Sequence, residues 1–96
     1  MKVYIVYDRY ENDEWFRVDY IGTDKSESNK KFKEKYLPEF LEYGPDDCHS
    51  YQLQEVEMTT EQYEQLLNWH DDPKMSLEYG PYYDFMCDVY HQGGPV

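Results

Sequence analysis

The sequence predicts an α+β fold: a small antiparallel sheet in the order β-β-α-β-α plus a C-terminal element, with the helices packed on one face. Three observations predict it. An alternating β-branched and aromatic run opens the chain, two later segments carry helix-capping signals ahead of apolar residues at helical spacing, and aromatic residues make up 19% of the chain. Twelve of the 96 residues are Tyr and none is Ala. At a mean hydropathy of −1.03 it is this aromatic surface that gives the chain a core to bury. The length fits a single domain, residues 1–96.

Val3, Ile5 and Tyr7 alternate with Tyr4, Val6 and Asp8, which reads as a first strand buried on at least one face. The polar run Glu11-Asn12-Asp13-Glu14 reads as a turn, and Trp15 to Asp24 alternates Phe16, Val18 and Tyr20 against Arg17, Asp19 and Ile21, which closes a hairpin. Asp24 with Glu27 three residues on has the form of a helix cap, and Phe32, Tyr36 and Phe40 then recur every four residues. Pro38 cannot bond the Glu34 carbonyl, so this helix is expected to end near Tyr36 or to restart at Pro38 and close at Gly44-Pro45. Residues 48–58 read as a third strand, in which Tyr51 and Leu53 share one face while Val56 and Met58 share the other, so a bulge or twist is expected there. Thr59 with Gln62 resembles a capping box, and Tyr63, Leu66, Leu67 and His70 follow at helical spacing up to Asp71-Asp72-Pro73. After Gly80-Pro81, Tyr82, Phe85, Met86 and Val89 fit a helix, and Tyr83, Phe85, Cys87 and Val89 fit a strand equally well. Residues 92–96 read as a frayed end.

Charge is unevenly spread. The formal charge is −12 and the pI about 4.4. Residues 1–35 hold eight acids and eight bases, whereas residues 36–96 hold thirteen acids and one base, Lys74. Binding nucleic acid directly, or docking on an anionic membrane, needs a cationic surface, and the chain offers none of useful size, so neither is expected. No apolar stretch approaches the roughly 20 residues that span a bilayer. The opening MKVYIVYDRY lacks the apolar core and cleavage site of a signal peptide, so a cytoplasmic location is expected, with Cys48 and Cys87 as free thiols.

The later acids come in pairs: Asp46-Asp47, Glu55 with Glu57, Glu61 with Glu64, Asp71-Asp72. Carboxylates two apart on a strand stand about 6.6 Å apart, and three apart on a helix about 5–6 Å, of the order of phosphate spacing along a nucleic-acid strand. A surface so built fits the basic cleft of a nucleic-acid-binding protein; the plainer alternative is a solvated acidic face that keeps the chain dispersed. On the first reading the partner-binding residues are Glu39, Glu42, Asp46, Asp47, Tyr51, Glu55, Glu57, Glu61, Glu64, Asp71 and Asp72. Tyr82, Tyr83 and Tyr90 are secondary contact candidates, because three tyrosines exceed what one face of a short element buries, while most other tyrosines are expected to replace Phe and Leu in the core.

Enzyme chemistry has little support in the residue pattern. Cys48, His49, Cys87 and His91 lack the spacing of a zinc site, and the same residues make a poor nucleophile and base in an acidic surface that raises thiol pKa. Phosphate-loop, dinucleotide, zinc-protease and calcium-loop motifs are absent, and no paired carboxylate sits in an apolar context suited to acid-base work. No catalytic residue, metal or cofactor is assigned. Lys30, Lys31, Lys33 and Lys35 surround the apolar seam of Phe32, Tyr36 and Phe40, which suits a small nucleotide, especially in a homodimer that brings two such helices together; the plainer alternative is a solvated helix face.

The opening MKVYIVYDRY, the capped helix behind a short hairpin, the acidic remainder and the Ala-free, Lys-over-Arg composition resemble the small acidic inhibitors of host defence found in bacteriophages and mobile elements, of the anti-CRISPR or anti-restriction type, several of which mimic DNA. The resemblance is carried by composition and size, and the lysine-rich helix departs from a uniformly acidic mimic. It implies a non-enzymatic inhibitor, in the cytoplasm of an infected bacterium, that offers its acidic surface to the basic site of a nucleic-acid-binding protein such as a CRISPR effector or restriction enzyme. Two other functions fit the same residues: a sponge that sequesters a nucleotide signal through the lysine-rich helix, and an adaptor that binds protein through a tyrosine patch.

Overall fold

The computed structural model describes residues 1–10, 15–43 and 49–93, the side chains of Tyr43 and His49 excepted. Strand β1 (Lys2–Tyr10) is the middle of a three-stranded antiparallel sheet, flanked by β2 (Trp15–Gly22) and β3 (His49–Glu57). Its position explains its composition: Val3, Ile5, Val6 and Tyr7 are all fully buried, because both of its faces are covered. The expected α+β class, with its antiparallel sheet and element order, is the one observed.

The helices lie on both faces of the sheet, where the sequence reading placed them on one. On one face Val3, Ile5 and Tyr7 join Phe16, Val18 and Val56 with Leu66, Tyr82, Met86, Val89 and Tyr90 from the two later helices. On the other face Asp8 stands opposite Arg17 and Tyr51, and α1 (Lys25–Tyr43) crosses it, with Tyr36 buried against Tyr51. This also accounts for the mixed pattern of β3. Its pairing with β1 runs without interruption from Lys2↔Glu57 to Tyr10↔His49, so the apolar residues on its two faces meet two different helical layers and no bulge is needed. The irregularity falls in β2 instead, where register shifts between Val6 and Tyr7 and Asp19 is the extra residue.

Helix α1 begins as expected, the Asp24 carboxylate accepting from the Glu27 amide at 3.1 Å. It then runs unbroken to Tyr43 with Pro38 inside it. Pro38 and Glu34 are both exposed, so water can satisfy the carbonyl that Pro38 leaves unbonded. Its expected closure at Gly44-Pro45 and the turn at residues 11–14 lie outside the described residues.

Helix α2 (Thr60–Asp71) has both halves of its capping box: Thr59 Oγ1 accepts from the Gln62 amide at 3.1 Å, and Gln62 Oε1 accepts from the Thr59 amide at 2.9 Å. The undecided C-terminal element is helix α3 (Pro81–Gly93). Gly80 turns the chain at φ 94°, a conformation that favours glycine, and Pro81 follows as a first-turn residue. Tyr7 and Gln54 tie α3 to the sheet: the Tyr7 hydroxyl donates to Gln54 Oε1 at 2.7 Å, and Gln54 Nε2 donates to the Val89 carbonyl at 2.6 Å. Among the described residues no helix is long and apolar enough to cross a membrane.

Candidate functional site: an acidic helical layer and an aromatic groove

The sheet divides the charged residues into two populations. Over the Asp8 face, β2 and α1 build a partly buried polar network. The Asp8 side chain is fully buried, and its Oδ2 lies 3.5 Å from Arg17 Nη2. The same nitrogen donates to Glu39 Oε2 at 2.9 Å, the Tyr51 hydroxyl donates to that oxygen at 3.1 Å, and Arg17 Nε lies 3.5 Å from Asp19 Oδ2. One guanidinium thus serves three carboxylates while stacking over the Tyr36 ring at 5.3 Å. Burial opposes the Arg17 charge, but the Glu39 hydrogen bond and the Glu39 and Asp19 charges outweigh it and hold the group above its ordinary value. Burial, with the Glu39 hydrogen bond and the Asp8 charge behind it, pushes the Tyr51 phenol up to about 12. Burial and then Asp19 raise the Tyr36 phenol further.

Glu39 and Tyr51, expected on a partner-binding surface, are half-buried and engaged in this network. Glu55 and Glu57 also lie on the Asp8 side of the sheet, since they pair with Tyr4 and Lys2. Both are exposed, Glu55 accepting from the Tyr4 hydroxyl at 3.1 Å and Glu57 meeting the Met1 amino group at 2.9 Å. Glu42 is exposed on α1, while Asp46, Asp47 and Cys48 lie outside the described residues. Cys87 is half-buried with a free thiol. Among the described residues no group of three or more His, Cys, Asp and Glu could hold a metal ion.

The second population is the layer formed by α2, the segment after it, and α3. Glu61, Glu64, Asp71 and Asp72 are exposed there, as the sequence suggested. Glu78, Asp84 and Asp88 are exposed beside them and belong to the same layer. Among the described residues these seven acids form no ion pair, and Lys74 is the one base between residues 59 and 93. Sequence reasoning missed Asp84 and Asp88 because their spacing of four acquires meaning only once α3 is known to be a helix.

Tyr82 and Tyr90, the expected secondary contacts, are core residues at 2% and 9% exposure, and Tyr83 is half-buried with its ring 5.7 Å from Phe16. Helical spacing puts Tyr82, Met86, Val89 and Tyr90 on the inward side, so α3 buries more tyrosine than a short strand could. Among the described residues the tyrosine standing in solvent is Tyr79, at 73% exposure.

Among the described residues, grooves mark the surface on both sides of the sheet. One, of about 340 Å³, lies between α2 and α3 and is lined by Glu61, Gln62, Gln65, Trp69 and Phe85. The other, of about 490 Å³, runs along α1 beside β3 and is lined by Phe32, Lys33, Tyr36, Leu37, Phe40 and Tyr51. The lysine-rich helix thus carries its apolar seam into a concave surface. No protein-family model matches the chain, and no curated protein or solved structure matches it.

Proposed function

We propose that the chain is a non-catalytic inhibitor that offers the acidic layer of α2 and α3 to the positively charged site of a nucleic-acid-binding protein, such as a CRISPR effector or restriction enzyme. The observation that carries this reading is the gathering of seven exposed, unpaired carboxylates on one side of the sheet against the single base Lys74. At 4 Å in water a like-charge pair is unfavourable by about 1 kcal/mol, so a one-sign layer adds nothing to the stability of the fold and calls for a role outside it. Glu61 with Glu64, and Asp84 with Asp88, stand at helical spacings of three and four, which hold their β-carbons about 5–6 Å apart on a rigid support. Trp69 and Phe85 in the groove between the helices supply an apolar anchor within the charged field, the composition expected at the centre of a contact patch.

The test is affinity capture of bacterial proteins on the immobilised chain and on a variant with Glu61, Glu64, Asp84 and Asp88 changed to Lys. Duplex DNA is expected to elute a nucleic-acid-binding protein from the first and none from the second. The same proteins retained by both surfaces, unmoved by DNA, would refute the reading.

A further inference from the structure

We propose that the groove between α1 and β3 binds a small anion that carries an aromatic ring system, of the nucleotide class. It lies on the opposite side of the sheet from the acidic layer, so this inference stands or falls independently of the preceding one. The groove's volume of about 490 Å³ falls within the roughly 300–1,000 Å³ of small-molecule sites. Five of its six lining residues are aromatic or aliphatic and the sixth is a cation, Lys33.

The floor is preformed. Tyr36 is buried, meets Phe32 edge-on at 5.6 Å and 89°, and leans on Tyr51 at 4.9 Å and 36°. Tyr51 is in turn held by Glu39, which Arg17 fixes. Side chains locked this way lose little freedom when a ligand arrives. Above the floor, Phe40 and Leu37 remain 45% and 47% exposed, so their apolar area is still available to be covered. A flat ring covers such walls well, and stacking on aromatic side chains contributes about 1–3 kcal/mol per base.

Charge sets the sign of the ligand. Lys33 makes no ion pair among the described residues, whereas Lys30, one turn away on the same helix, is paired with Glu34 at 4.0 Å. Asp19 and Glu39, the carboxylates that reach the floor tyrosines, are both engaged by Arg17. The seven acids of the other layer lie on the far side of the sheet. Lys33 is the cation in the groove wall, although Asp8, Asp19 and Glu39 beneath the floor outnumber Arg17 and the chain as a whole is strongly negative. A flexible ammonium suits the phosphate of a nucleotide as a point charge.

The test is a ¹H–¹⁵N NMR titration of the full chain with adenosine 5′-monophosphate, with adenosine (ring without charge) and inorganic phosphate (charge without ring) as parallel arms. The nucleotide is expected to give saturable shifts at Lys33, Leu37, Phe40 and Tyr51, adenosine weaker shifts at the same amides, and phosphate none. Lys33→Glu and Phe40→Ala, both at exposed positions, are each expected to weaken nucleotide binding about tenfold. The unliganded spectrum of each variant reports whether its fold is intact. Adenosine and the nucleotide binding equally well would overturn the anionic assignment. Failure to saturate by about 10 mM, shifts elsewhere on the surface, or indifference to both substitutions would overturn the site.

Discussion

The two helical layers cover opposite faces of one sheet, yet they use charge in contrary ways. Under α1, charge has been taken inside: Asp8 is fully buried and is balanced by Arg17, which also holds Asp19 and Glu39. Under α2 and α3 the interior is apolar, built from Val3, Ile5, Leu66, Met86 and Val89, and the carboxylates stay outside in water. Asp8, Asp19 and Glu39 in the first layer are structural parts whose removal disturbs the fold, unlike the exposed Glu42, Glu55 and Glu57 on the same side. An acid in the second is dispensable to the fold and available to a partner. The net charge of −12 counts both alike, and only the assignment of each residue to a layer separates them.

Four perturbations break or sharpen this contrast. The broadest is alkaline pH, which strikes both layers. The phenols of Tyr7 and Tyr82 in one layer and of Tyr36 and Tyr51 in the other are raised above 10.0, burial being the first cause in each. Groups raised on folding contribute stability that is complete below their unfolded value and lost as pH climbs through the folded one. The urea midpoint is therefore expected to hold up to about pH 10 and to fall from there through about pH 12, with phenolate absorbance appearing as the chain unfolds.

Next comes Arg17→Ala, which leaves Asp8 buried without its cation and is expected to lower unfolding free energy by about 3–5 kcal/mol in urea denaturation. Leu66→Ala, in the other layer, opens a cavity in the apolar core and is expected to lower it by about 3 kcal/mol. The smallest effect belongs to the outer acids. Changing Glu61, Glu64, Asp84 and Asp88 to their amides is expected to shift stability by less than about 0.5 kcal/mol for each, upward at low salt. A loss comparable to that of Arg17→Ala would show that the acids of the second layer are also structural, and the contrast would collapse.

The elements were legible where one local signal decided them. The opening alternation fixed β1 and β2, and Thr59 with Gln62 marked the start of α2 to the residue. Legibility failed wherever the outcome depended on what lay across the sheet. Pro38 removes one hydrogen bond and crowds the Glu34 carbonyl, a cost that an exposed turn eases by turning that carbonyl to water, and exposure of that turn is invisible in the sequence. The apolar residues of β3 alternate imperfectly because two layers cover it, and the expected bulge was an inference from one-sided burial. The segment after Gly80 held apolar residues at both periods, so it took the backbone turn at Gly80 and Pro81 to make it a helix.

The candidate site divides in the same way. Its acidic character was readable from composition, but Glu39 and Tyr51 look like surface residues until Arg17 is placed beside them by strand pairing with Asp8. Asp84, Asp88 and the burial of Tyr82 all follow from one missing fact, the helical state of α3.

The most direct test of the acidic layer as a binding surface is the association rate between the chain and the DNA-eluted partner, measured from about 50 to about 500 mM salt for the native sequence and for the variant with Glu61, Glu64, Asp84 and Asp88 changed to Lys. The account predicts a rate for the native chain that falls at least about tenfold over that range, and a variant that associates slowly at every salt concentration. A rate insensitive to salt and shared by both proteins would contradict it.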